Sequence, residues 1–282
     1  MGKRYYFIAG EVSGDLHAGN CMREILKLDP TAEFAFTGGD LMEEVSGKKA
    51  GIHIKQMAFM GFVDVLKNIR TIKKNFKIVK EEILRFNPDI IVLVDYPGFN
   101  LRMAKWAFER GIKVDYYISP TVWAWKEGRV EQIKKYTNKL FVILPFEEAF
   151  YQKHNHKVYF TGHPLIDAIE QQRPRLKSRE EFIRTNNLSN KEIIAVLPGS
   201  RAQEIERMLN DMAEVVKNFK EYQFVVAGSN NLSGNYYKPL EEKNIKVVFN
   251  QTYELMSYAK AGIIKSGTST LESALLGLPQ VV

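Results

Sequence analysis

A chain of 282 residues, 45% of them apolar, has material for two buried cores, and its single cysteine excludes a disulfide scaffold. No apolar run approaches the length that crosses a bilayer, and a lone thiol fits a reducing compartment. The net charge of +7 points to nucleic acid or to an anionic membrane; the lack of zinc-finger spacing, ribonucleoprotein motifs or basic–aromatic repeats sets nucleic acid aside.

The first predicted strand, 3–9, starts at the N-terminus, so no signal peptide is expected and the reading is cytoplasmic. It runs into Ala9-Gly10-Glu11-Val12-Ser13-Gly14-Asp15, a glycine-bearing turn opening a helix. The turn lacks the Gly-x-Gly-x-x-Gly fingerprint, which disfavours NAD and FAD. Glu11 and Asp15 near a helix N-terminus repel phosphate but suit sugar hydroxyls. The plainer alternative is Ser13 capping the helix with Asp15 complementing its dipole. Cys21, further along, reads as structural.

After a strand at 33–37, one long helix is predicted from Phe62 to Phe86, following Met60-Gly61. Its apolar residues Phe62, Val65, Leu66, Ile69, Ile72, Phe76, Val79 and Ile83 step by three and four. Lys67, Arg70, Lys74 and Lys77 step likewise on another face, and the segment holds seven basic residues against three acidic ones. Such a helix either packs on a sheet with a wet basic face or lies on a membrane surface.

A strand at 89–94 delivers Asp95 at its carboxyl end, a candidate general base; alternatively Asp95 or Asn100 caps the next helix. The strand at 113–118 leads into Ser119-Pro120-Thr121-Val122-Trp123-Ala124-Trp125, whose indoles either pack internally or cover a sugar or acyl chain. Strands at 139–144 and 157–161 follow, then a polar stretch, 170–191.

The pattern resumes with strands at 192–197, 222–227, 245–249 and 262–265. The first ends in Pro198-Gly199-Ser200-Arg201, where Ser200 can cap a helix and the Arg201 fork can clamp a phosphate. The last runs through Lys265-Ser266-Gly267-Thr268-Ser269-Thr270 into a helix bearing Glu272. Small residues let a ligand approach the backbone, a helix N-terminus attracts phosphate, and a carboxylate one turn in accepts ribose hydroxyls. A capped helix with a favourable acidic residue is the alternative. Leu278–Val282 reads as the opening of a further strand, and the short second half reads as a fragment.

Alternating strands and helices mean parallel sheets covered on both faces, so the expected fold is α/β, with two Rossmann-like domains, 1–168 and 169–282, flanking a cleft. The second domain is expected to be incomplete.

Taken together, the motifs resemble those of the lipid-A-disaccharide synthase family, glycosyltransferases of the GT-B type. The matching strings are Ala-Gly-Glu-Val-Ser-Gly-Asp at 9–15, Met-Gly-Phe at 60–62, Asp-Tyr-Pro-Gly-Phe-Asn at 95–100 and Ile-Ser-Pro-Thr-Val-Trp-Ala-Trp at 118–125. Leu-Pro-Phe-Glu at 144–147, Gly-His-Pro at 162–164, Leu-Pro-Gly-Ser-Arg at 197–201 and Ser-Gly-Thr-Ser-Thr-Leu-Glu at 266–272 follow in order. The Trp-Ala-Trp string is the most specific.

The resemblance implies an inverting transfer from a UDP-activated 2,3-diacylglucosamine to the 6-hydroxyl of 2,3-diacylglucosamine 1-phosphate, without cofactor or metal, at the cytosolic face of the inner membrane. Asp95 matches the first Asp of the family string, and with Glu11 or Asp15 across the same cleft these three are the catalytic candidates. Gly199, Ser200, Arg201, Ser266, Gly267, Thr268, Ser269, Thr270 and Glu272 would hold the donor. Ser13, Gly14, Met60, Phe62, Asn100, Ser119, Trp123 and Trp125 would meet the acceptor. Many family members carry a second Asp where this chain has Gly98, so the usual base assignment does not transfer. Open alternatives are another GT-B enzyme on UDP-N-acetylglucosamine, such as an epimerase, and a non-catalytic lipid-binding module. The oligomeric state is left open.

Overall fold

The computed structural model describes residues 2–57, 69–199, 205, 208, 215, 216, 218–229, 237, 240 and 245–282. The chain divides into two compact units, Met1–Pro164 and Leu165–Val282. The division falls at the start of the helix Pro164–Gln172, four residues before the sequence-based boundary.

Among the described residues, the first unit holds a seven-stranded parallel sheet. Its strands are β1 Arg4–Ala9, β2 Glu33–Gly38, β3 Ile52–His53, β4 Ile90–Val94, β5 Val114–Tyr117, β6 Lys139–Val142 and β7 Tyr159–Phe160. Their spatial order is β3-β2-β1-β4-β5-β6-β7. Both faces are covered, which is why the central strands read as unbroken apolar runs. Alternate residues of β1 and β4 enter opposite cores: Tyr6, Ile8, Ile91 and Leu93 on one face, Phe7, Ala9, Val92 and Val94 on the other. The sequence reading did not include β3. Its two residues pair only with Thr37 and Gly38, too short a stretch for any alternation to show.

The order reverses between β1 and β4, which pair in register with Ala9 opposite Val94. In open α/β sheets the crevice beyond such a switch point is where ligands bind. This topology brings the turn after β1 and the turn after β4 side by side.

In the second unit the strands are β8 Ile193–Leu197, β9 Gln223–Gly228, β10 Lys246–Phe249, β11 Ala261–Ile264 and β12 Gln280–Val281, ordered β10-β9-β8-β11-β12 and all parallel. Its switch point lies between β8 and β11, where Leu197 pairs with Ile264. The architecture is α/β with two Rossmann-like units, the second with the smaller sheet.

The predicted 62–86 helix is described from Ile69 to Phe86; residues 62–68, with Lys67, lie outside the described residues. Val79 and Ile83 are fully buried, and Phe76 stacks on Phe99 at 4.0 Å. Toward the helix start the apolar stripe emerges, and Ile69 is 40% exposed. No helix among the described residues is long and apolar enough to cross a membrane.

Candidate active site

Asp95 follows β4 directly, and its backbone is unusual. Asp95 and Tyr96 both have left-handed φ, +41° and +49°, and Ile118, at the end of the neighbouring β5, has φ +65°. Non-glycine residues in this region cost on the order of 1–3 kcal/mol each and persist only where surroundings over-determine them. Here the surroundings do so. The Asp95 carbonyl accepts hydrogen bonds from Asn100 Nδ2 at 2.7 Å and from Tyr116 Oη at 2.6 Å. Tyr96 Oη donates to the Met57 carbonyl at 3.0 Å. The Tyr96 ring lies against Gly10, where an added Cβ would meet ring carbon at 2.4 Å, so no larger residue fits position 10 without displacing the turn.

This clamp leaves the Asp95 carboxylate uncommitted to capping. The N-cap of the helix Pro97–Phe108 is Tyr96, and no side chain caps it. Burial pushes the Asp95 carboxyl up to about 6, and the negative charge of Glu11 across the switch point pushes the same way; a backbone N–H bond from Tyr96 opposes both. A carboxyl poised there is ionised at neutral pH yet basic enough to take a proton. At Gly98 an added Cβ would meet nothing within 4 Å, so a side chain could start there without a clash.

Asp15 is 3% exposed, and its carboxylate accepts from the N–H groups of Gly39 at 2.7 Å, Leu41 at 3.0 Å and Met42 at 3.2 Å. It therefore caps the helix Asp40–Ser46 while standing in the first turn of its own helix, Val12–Leu28. Asn100 is fully buried, its amide nitrogen bound to the carbonyls of Ile8, Val94 and Asp95, and so ties the two strand ends together. Gly14 is buried against Ala9, where an added Cβ would sit 3.3 Å from the Ala9 Cβ, a close helix–sheet contact. Ser119 is buried and shares a 2.6 Å bond with Tyr151 Oη. Ser13 is half-buried beside Glu11.

Trp123 is 37% exposed and meets Phe146 edge-on at 4.8 Å. Its indole also bonds the buried Glu147 carboxylate, which accepts from the N–H groups of Ile143 and Leu144. The sequence carried Glu147 only as part of a string; its capping role depends on the turn after β6. The side chain of Trp125, with Met60 and Phe62, lies outside what is described. His17 is a further buried group. Burial, then the neighbouring charge of His163, lowers its imidazole to about 4, so it is neutral at physiological pH. Burial also raises Cys21 to about 11, an unreactive thiol.

In the second unit, the turns after β8 and β11 lie on adjacent strands. Gly199 has φ +93°; Ser200 and Arg201 lie outside the described residues. Ser266, Gly267 and Thr268 are exposed ahead of the helix Thr268–Leu275, and Thr270 Oγ1 accepts from the Gly267 N–H at 3.3 Å. Ser269 is half-buried and its carbonyl takes the Ser273 hydroxyl at 2.7 Å. Glu272 is half-buried, and Tyr253 Oη donates to it at 2.8 Å. Burial raises the Glu272 carboxyl, and the Tyr253 bond partly offsets this. Tyr253 sits on a different helix, 19 residues away, so nothing in the local sequence signalled it. Among the described residues no three His, Cys, Asp or Glu side chains gather into a metal-holding group.

Both units thus carry polar groups at the switch point of a Rossmann-like sheet. Similar folds occur in UDP-N-acetylglucosamine 2-epimerases. The Neisseria meningitidis structure bound to UDP-GlcNAc aligns over 100% of this chain and 82% of its own, with TM-score 0.66 and 17% identity. The Rickettsia bellii structure aligns over 99% and 78%, with TM-score 0.68 and 14% identity. The fold is that of the GT-B class. The family profile of lipid-A-disaccharide synthetase matches residues 5–282. The lipid-A-disaccharide synthase of Coxiella burnetii (strain Dugway 5J108-111) is 39% identical over 99% of this chain and 74% of its own length, and that of Geobacter sulfurreducens is 36% identical over 99% and 73%. The chain belongs to the lipid-A-disaccharide synthase family, whose members are glycosyltransferases.

Proposed function

We propose that this enzyme joins UDP-2,3-diacylglucosamine to 2,3-diacylglucosamine 1-phosphate, forming the β-1,6 disaccharide 1-phosphate and UDP. Asp95 carries the reading: a carboxyl poised at about 6, held by a strained and fully bonded backbone at the β1/β4 switch point, and spent on no cap. In the proposed step the acceptor 6-hydroxyl oxygen attacks the anomeric carbon of the donor. Its proton passes to Asp95, and the bond from that carbon to the diphosphate oxygen breaks with its electron pair leaving on UDP. One displacement inverts the α-linked donor to a β-linked product. Glu11 keeps the Asp95 pKa high and binds sugar hydroxyls. Glu272, oriented by Tyr253, holds the ribose, while Ser266 to Thr270, Gly199, Ser200 and Arg201 bind the diphosphate. Trp123 and Trp125 cover the acceptor sugar or its chains.

Both substrates carry acyl chains, so the enzyme works at the cytosolic membrane face. The helix Ile69–Phe86, together with the basic and apolar residues that precede it in sequence, docks it there, with its emerging apolar stripe at the acyl boundary and its basic stripe on anionic headgroups. Support comes from the exposure of Ile69, Arg70 and Lys74 at the helix start, against burial of Val79 and Ile83 further on.

The test is incubation of the purified enzyme with both substrates and mass spectrometry of the products. Disaccharide 1-phosphate with one UDP per turnover is expected. Epimerised UDP-N-acetylglucosamine, or binding of lipid with no UDP released, would assign the site to one of the competing functions.

A further inference from the structure

We propose that the groove between the helices Ile69–Phe86 and Pro97–Phe108 binds the phosphate headgroup of an anionic glycerophospholipid. The proposal builds on the membrane-docking reading above and adds a discrete site to it.

The groove encloses ≈ 570 Å³. Lys73, Lys77 and Lys80 line it from the first helix, Arg102 and Arg110 from the second and its following turn. Positions 73, 77 and 80 share one face of the first helix and 102 and 106 one face of the second, with Arg110 in the turn just beyond it, so basic side chains line both walls. Glu81 is the acidic residue on the wall, and it reaches only Lys77, at 3.9 Å. Lys73 and Arg102 meet no carboxylate at ion-pair distance among the described residues.

The floor is aromatic. Trp106 is 7% exposed, with the Arg110 guanidinium 4.7 Å and the Lys80 ammonium 5.5 Å from its ring centroid; Lys80 also lies 5.7 Å from Phe76. A cation resting on a ring face is held in place while its N–H donors remain available. Five cations crowded against one carboxylate repel each other, and an added phosphate relieves that repulsion. Guanidinium groups match phosphate oxygens in pairs. Leu84, 58% exposed, continues the wall as apolar surface suited to a glycerol backbone and the first methylenes of its chains. Charge complementarity and this apolar margin favour a phospholipid over free phosphate.

Calorimetric titration with dihexanoylphosphatidylglycerol below its micelle concentration tests the site without a membrane surface. One saturable site per chain is expected. Lys73→Glu with Arg102→Glu should weaken it at least about 30-fold, taking each lost basic residue at the value it has near an anionic headgroup. Arg70→Glu with Lys74→Glu, the same charge change outside the groove, should leave it within threefold. Unchanged affinity in the Lys73/Arg102 variant, or equal affinity for dihexanoylphosphatidylcholine, overturns the proposal. Inorganic phosphate binding as tightly as the lipid overturns the lipid assignment. Vesicle flotation separates the two readings. Loss of vesicle binding only on reversal of Lys67, Arg70 and Lys74, all outside the groove lining, removes the groove and keeps the docking helix. Loss only in the Lys73/Arg102 variant does the opposite.

Discussion

Replacing Asp95 with Asn should make the enzyme nearly inactive and more stable at once. Raising a carboxyl from about 3.9 in the unfolded chain to about 6 in the folded one corresponds to about 3 kcal/mol of penalty on the charged form. The sign follows from the raised folded pKa: the contribution of this group is most favourable below about pH 4 and is lost as pH rises through about 6. Asn carries no charge and pays no such penalty. Relative to wild type, the variant should gain up to about 3 kcal/mol in urea unfolding free energy between pH 4 and pH 7.5. Meanwhile kcat should fall by roughly 10²- to 10⁴-fold with UDP affinity unchanged. The wild-type profile of kcat/KM should rise with pH to a plateau above an apparent pKa of about 6. Glu11→Gln removes a negative neighbour and should move that limb to lower pH. A stability difference between variant and wild type that is independent of pH refutes the reasoning, because it would mean Asp95 titrates as an ordinary surface carboxyl. If Asp95→Asn stays active while Glu11→Gln is inactive, the base lies on the first turn.

Glu272→Ala should weaken UDP binding about 10- to 150-fold by calorimetry, the cost of losing hydrogen bonds to a charged acceptor, and Tyr253→Phe should weaken it less, about fivefold. Arg201→Lys keeps the charge and loses the fork, so steady-state kinetics should show it well below wild type; full turnover would dismiss bidentate clamping of the diphosphate. Gly10→Ala places a methyl against the Tyr96 ring and should cost about 1–3 kcal/mol by thermal unfolding, with a drop in kcat as the Asp95 turn shifts. Reversal of Lys67, Arg70, Lys74 and Lys77 to Glu should release the enzyme from anionic vesicles while activity on detergent-dispersed substrate persists; unaltered vesicle binding would reduce the helix to a packing element.

The strands were legible because parallel sheets buried on both faces leave runs such as Ile90–Val94 and Ile193–Leu197, and Asp95 was legible because it ends such a run. What escaped is tertiary. Asp15 stands in the first turn of its own helix as its sequence position indicates, but only the fold brings Gly39 and Met42 onto its carboxylate. Asn100 reads as a cap or a contact until β1 and β4 place three carbonyls around its amide. The left-handed Tyr96 and Ile118 carry no local mark, since neither is a residue type that favours that region. The Tyr253 bond to Glu272 and the basic groove each join two helices separated in sequence, so neither leaves a pattern in any one segment.

Inverting transfer between two acylated sugars leaves its record on the anomeric carbon of the donor. Donor labelled with ¹³C at the anomeric carbon is turned over with unlabelled acceptor, and the product is followed by NMR. A single labelled β-anomeric carbon, coupled across oxygen to the acceptor C6, is expected to appear in step with UDP and only when acceptor is present. An α-linked product, or label released as free sugar at the same rate without acceptor, would contradict it.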